Sequence, residues 1–220
     1  LMKRGKYTIL VFVITVSIIV FLLLNLLLGS VSIPFGSVWN ILTGGEEDPV
    51  AWQNIILKSR LPQALTALVA GAGLSISGLQ MQTIFRNPLA GPSVLGISSG
   101  ASLGVAFVVL LSGQLGGVAL SRLGFIGEVA LSVAAIVGAL SVMGLIVLAS
   151  RKVAGSVTLL IIGVMIGYIA NAVIGVLKFF SVEEDIKAYV IWGLGSFARV
   201  SGNQMMLFVT IMAVIIPLSF

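Results

Sequence analysis

The sequence predicts an all-α fold, a polytopic transmembrane helical bundle. Three observations predict it. Of 220 residues, 59% are hydrophobic and 9% charged, against about 25% charged in a soluble domain, so a water-facing surface cannot be assembled. The uncharged apolar runs reach about 20 residues, enough to cross a hydrocarbon core of about 30 Å as helices. Lysines and arginines fall between those runs, in the pattern that orients membrane helices.

The composition also excludes chemistry. With no cysteine there is no disulfide or thiolate metal site, and with no histidine there is no imidazole ligand or histidine base. No cofactor, metal site or catalytic residue is expected. The formal charge of +5 is scattered rather than gathered on a basic face, so the expected surroundings are membrane lipid and not nucleic acid.

Lys3, Arg4 and Lys6 precede an uncharged run, 8–28, in which 17 of 21 residues are Leu, Ile, Val or Phe. At about −0.3 to −0.6 kcal/mol each, that run favours insertion by about 5–10 kcal/mol. It is too long for a signal-peptide core, and more spans follow, so a retained first helix is expected. Segment 30–59, with Glu46, Glu47 and Asp48, lies outside the bilayer, with apolar patches around Trp39 and Ile55 at the interface. Further spans are expected at 61–85, 93–111, 125–149 and 157–177, with a sixth beginning near Gln204. A polar stretch holding Glu183, Glu184, Asp185, Lys187 and Arg199 precedes the sixth. A cytoplasmic N-terminus puts Lys3, Arg4, Lys6, Arg86, Arg151 and Lys152 in short inner segments. One membrane domain over 1–220 is the simplest organisation.

Residues 96–100, "GISSG", fit the G-x-S-x-G pattern of serine hydrolases. A triad needs a base to take the serine proton, and the pattern needs a strand-turn-helix context; both are missing, so Ser98 is a packing residue. Gly96, Gly100 and Gly104 are four apart, as are Gly163, Gly167, Asn171 and Gly175. Such faces either let helices pack closely or line a solvated path; a mid-membrane amide, Asn171, favours the path for the fifth span. Pro88 and Pro92 stop the second span near Phe85. Arg86 then sits at the inner surface, and Asn87, before a proline, is biased away from helix. No G-x-x-x-x-G-K-[ST] phosphate loop occurs, and no ionisable group is evident at mid-membrane. Energy for uphill transport would have to enter from outside these residues.

The run "RLPQALTALVAGAGLSISGLQMQTIFRNPLAGPSVLGISSGASLGV", 60–105, with the later Trp192, Gly195 and Ser196, resembles the signature of bacterial ABC-importer permeases. Their FecCD/BtuC type serves iron–siderophore complexes, haem and cobalamin. The resemblance implies about ten spans per subunit, four of them beyond Phe220 with a coupling segment, so the chain is expected to be an N-terminal part. It implies a second permease subunit, a homodimer first of all, with cytoplasmic ATPase subunits and an extracytoplasmic substrate-binding protein. It implies a path beside the fifth helix, and Arg60 as the arginine that meets carboxylates of the binding protein. A planar guanidinium suits that role, and an ordinary interface anchor is the other reading. Gln63 stands where the family has a second arginine, which leaves Lys58 and Arg199 as substitutes. The remaining alternatives are a non-transporting scaffold, a membrane serine enzyme, and a channel or secondary carrier.

Overall fold

Helices make up every regular element that the structure describes. In the computed structural model these residues are 4–45, 49–112, 125–153, 155–198 and 200–219. The elements are α1 (Arg4–Leu27), α2 (Phe35–Leu42), α3 (Val50–Ile55), a π-turn (Ile56–Arg60), α4 (Leu61–Phe85), α5 (Ile97–Ser112), α6 (Phe125–Ser150), α7 (Ser156–Phe180), α8 (Glu183–Gly193) and α9 (Gly202–Leu218). Among the described residues, four stretches are long and apolar enough to cross a membrane: Gly5–Leu27, Val50–Phe85, Ile126–Ser150 and Ser156–Phe180. Two more expected spans, α5 and α9, are apolar but shorter. Hydroxyls in the spans donate back to carbonyls four residues earlier, as Thr15 does to Val11, Ser132 to Glu128 and Ser141 to Val137. Such bonds let a polar side chain sit in lipid without an unpaired donor.

The packing divides into two units, 1–73 with 197–220, and 74–196. In the first, Leu26, Ile33, Val38, Ile41 and Ile56 form the core. The interfacial patches expected around Trp39 and Ile55 are helices, and α3 runs on through the π-turn into α4. Together they make a continuous helical stretch of 36 residues, more than the roughly 20 that one bilayer crossing needs. Pro62 accounts for the π-turn. Its ring crowds the carbonyl four residues back and it has no N–H to offer, so the preceding turn widens.

In the second unit the cores lie at opposite ends. One gathers Phe85, Ala90, Leu95, Val142, Ile146 and Leu160, from the end of α4, the turn that follows it, the end of α6 and the start of α7. The turn carrying Arg86 and the turn carrying Arg151 and Lys152 are thus at one end, as the charge pattern requires. The other core gathers Val105, Ala106, Val109, Leu110, Ile174 and Tyr189. Tyr189 belongs to α8, where the sequence suggested only a polar stretch. Glu183, Glu184 and Asp185 occupy the first turn of α8, where carboxylates offset the positive end of the helix dipole.

α5 and α6 approach through glycine. A Cβ on Gly100 would lie 2.7 Å from the Gly138 carbonyl oxygen, and one on Gly104 would collide with the Ala134 carbonyl. Gly100→Val and Gly138→Val should each cost about 1–3 kcal/mol, read as a lower melting temperature in detergent, whereas Gly144→Ala, in open space, should not. Burial, partly offset by a hydrogen bond to Ser102, raises the Tyr189 pKa above 10.0. The fold therefore favours neutral Tyr189: this contribution is intact below about pH 10 and is lost as pH rises through the raised value. Tyr189→Phe should abolish that alkaline loss of stability.

Candidate functional site

The turn between α4 and α5 is built from backbone rules. Pro88 forbids continuation of α4. The helix closes with Asn87 N–H on the Gln82 carbonyl (3.1 Å) and Arg86 N–H on the Thr83 carbonyl (3.3 Å), the paired bonds of a Schellman ending. Arg86 takes the left-handed position at φ 46°, where glycine is usual. The Asn87 carboxamide oxygen accepts from Leu89 N–H at 2.9 Å. Ala90 N–H bonds the Asn87 carbonyl, Val94 the Gly91 carbonyl and Gly96 the Ser93 carbonyl. These donors are thereby satisfied inside the turn.

This turn also corrects the third span. α5 begins at Ile97, not near 93, because Gly96 turns the chain at φ 70°. Gly96 faces α7 rather than continuing the face of Gly100 and Gly104. A Cβ on it would stand 2.6 Å from the Gly163 carbonyl oxygen and 3.0 Å from Gly167 N, and a Cβ on Gly163 would meet Leu95 Cα at 2.8 Å. Gly163 is seven residues into α7, so the irregular backbone reaches about 10 Å along that helix. Protein covers it there, the condition under which non-helical backbone is tolerated at depth. Ser98, one position into α5, is exposed.

The four residues expected to share one face of α7 do not. Its buried stripe is Leu160, Gly163, Gly167, Ala170 and Ile174. Asn171 is exposed, and a Cβ on Gly175 would touch nothing. Each four-residue step drifts by about 40° on a 3.6-residue helix, so Gly163 and Gly175 are about a third of a turn apart. Asn171 and Gly175 instead share a stripe with Tyr168, 67% exposed. That stripe holds an amide and a phenol on an otherwise apolar surface, a chemistry suited to water or polar cargo. A separate concavity of about 790 Å³ lies among α5, α6 and α7. Leu103, Phe107, Val133, Val137 and Ile169 line it, with Ser141 its one hydroxyl, so it suits hydrocarbon and not a polar solute.

In the other unit, Arg60 is buried at 7% exposure. Its Nη1 donates to the carbonyls of Leu26 (2.6 Å) and Leu27 (3.1 Å), and its Nη2 to that of Val31. Lys58, two residues earlier, is exposed. Gln63 turns its amide to Ser59 Oγ at 2.9 Å. Arg199 lies outside the described residues. Sequence reasoning missed the inward turn of Arg60; the signal was Pro62, whose demand for a wider turn changes which way the preceding residues face.

The chain matches the FecCD transport family over residues 17–220. It belongs to that family. It is 31% identical to the molybdate import system permease protein MolB of Haemophilus influenzae, over 94% of this chain and 59% of that one. It is 33% identical to the vitamin B12 import system permease protein BtuC of Klebsiella pneumoniae, over 93% of this chain and 56% of the relative. The hemin transport system permease protein HmuU of Yersinia pestis is 31% identical, over 81% and 50%. Among solved structures, a metal-chelate type ABC transporter in an inward-facing conformation superposes with a TM-score of 0.73 at 28% identity. The match covers 94% of this chain and 60% of that one. The chain therefore spans between half and three-fifths of the length of these four relatives. The FecCD turn itself supplies a test: Arg86→Gly should preserve or raise the melting temperature, by up to about 1 kcal/mol in stability, because glycine removes the left-handed strain. A lower melting temperature would show that the Arg86 side chain contributes more than its backbone costs.

Proposed function

We propose that this FecCD chain is the membrane-spanning part of an ABC importer permease for a metal chelate, haem or cobalamin, with ATP hydrolysed by a separate subunit. Family membership over almost the whole chain carries the reading. Relatives named for hemin and vitamin B12 import support this cargo range, and the relative named for molybdate import adds an oxyanion beside it. Among the described residues no three carboxylates gather to hold a bare metal ion, which favours cargo that arrives already chelated. The expected partners are cytoplasmic ATPase subunits, an extracytoplasmic binding protein and a second permease subunit, in a bacterial inner membrane with the N-terminus cytoplasmic. The exposed stripe of Tyr168, Asn171 and Gly175 is the proposed wall of the path. Gly163 and Gly167 are assigned to seating α7 on the turn, behind that wall.

Reconstitution of the full-length subunit with its ATPase and binding protein tests the reading. ATP hydrolysis should rise when the loaded binding protein is added, and uptake should require ATP. Flux without ATP would favour a channel or secondary carrier. Asn171→Leu should reduce uptake several-fold at an unchanged melting temperature, because the side chain is exposed and outside the buried stripe of α7. Equal uptake by wild type and Asn171→Leu would remove α7 from the path.

A further inference from the structure

We infer that the apolar groove among α5, α6 and α7 seats one acyl chain of an anionic membrane phospholipid, whose phosphate is met by Lys152 and Arg151. Three observations carry this. First, the groove follows α6: Ile126, Val133, Val137, Ser141 and Leu145 line it, so it extends over about 28 Å of that helix. Gly100, Gly104 and Gly138 line it as well, where α5 and α6 meet backbone to backbone. Ser141 Oγ donates to the Val137 carbonyl at 2.8 Å, so the lining offers no free hydroxyl donor. Second, Lys152 continues this line. It follows Ser141 by eleven residues and Leu145 by seven, within about 20° of whole turns on an α-helix. Tight turns carry the coil that far, with Lys152 N–H and Val153 N–H both on the Ala149 carbonyl at 3.0 and 3.1 Å. Arg151 and Lys152 are exposed. Third, the charges are sorted. Residues 74–196 hold four carboxylates, Glu128, Glu183, Glu184 and Asp185. They lie in the first turns of α6 and α8, away from the end that carries Arg86, Arg151 and Lys152.

Hydrocarbon alone does not select an occupant, because a chain in the groove and a chain in bulk lipid lie in equally apolar surroundings. Charge does, since bases beside a span draw anionic headgroups. The interfacial layer on each side of the hydrocarbon is about 5–8 Å thick. Lys152 lies about 10 Å beyond Leu145 along the helix axis, so a phosphate beside Lys152 brings the chain beneath it to Leu145. One leaflet supplies about 15 Å of chain, which reaches from Leu145 to about Ala134 and leaves the Ile126 end to the other leaflet. A spanning helix would fill the whole length and would need no bases at one end.

The lipid site does not depend on the cargo or on the ATPase. Its test uses the full-length subunit, purified in mild detergent with equal phosphatidylglycerol and phosphatidylcholine and weighed by native mass spectrometry. Phosphatidylglycerol should be retained in preference to phosphatidylcholine. Lys152→Gln should lower that preference about five-fold, and Lys152→Arg should keep it. Leu145→Trp, which fills the groove beneath the phosphate, should lose the retained lipid at an unchanged melting temperature, because Leu145 is 53% exposed. Ile126→Trp, at the far end of the groove, should retain it. Equal retention of the two lipids, an unchanged preference in Lys152→Gln, or equal losses in Leu145→Trp and Ile126→Trp would overturn the site. So would a groove filled by a helix of the full-length subunit or of a second copy, seen as no retained lipid together with a lower melting temperature in Leu145→Trp. Absence of ATP-dependent uptake would count against the importer reading and leave the lipid site standing.

Discussion

The close approach of backbones at glycine is the constraint on which the larger unit depends. Inside a bilayer, helices gain little from burying apolar side chains against each other, since lipid is as apolar as leucine. What remains is contact area and polar pairing, and both increase when backbones come near. Gly100, Gly104 and Gly138 bring α5 against α6, while Gly96, Gly163 and Gly167 bring the turn against α7. Without these approaches, the irregular stretch 86–96 would lose the protein cover that makes it tolerable at depth.

A second constraint acts at the helix ends. Where a helix stops, its orphan carbonyls and amides need partners, and this chain meets the need in three different ways. α4 ends on its own backbone, with Arg86 in the left-handed position. α1 ends on a side chain from a distant turn, Arg60. α9 begins with a reciprocal box, Ser201 accepting from Gln204 N–H while the Gln204 side chain accepts from Ser201 N–H. Each solution localises a charge or a polar group. Only the second requires a cation to leave water.

These endings also mark what could be read from the sequence. Long apolar runs dictate their own helices, so α4 occupies the expected 61–85 and α1, α6 and α7 lie within a few residues of their expected limits. The start of α5 was not legible, because it depends on a positive φ at Gly96 and on the surface of α7 beneath it. The exposed stripe of α7 was half legible: Asn171 announced a polar position, but four-residue spacing grouped it with Gly163, which the helical drift places on another side. Arg60 was legible as a residue of consequence, but its contact with the carbonyls that end α1 was not. Lys58 and Ser59 before it are polar, and it reaches the carbonyls of α1 from the π-turn that precedes Pro62.

The two sides of α7 join these constraints to the proposed path. A helix that lines a path must be held firmly on one side and leave the other side free of its own subunit. The stripe Leu160, Gly163, Gly167, Ala170 and Ile174 does the holding, and its glycines bring α7 to the backbone of 95–96 without intervening side chains. Small residues in the packed stripe keep large and polar groups for the exposed one, where Tyr168 and Asn171 stand. A polar cargo would meet those groups on a helix whose opposite side has no room to shift. The glycines expected to line a path would on this view act from behind it, by fixing the depth and rotation at which Asn171 is presented.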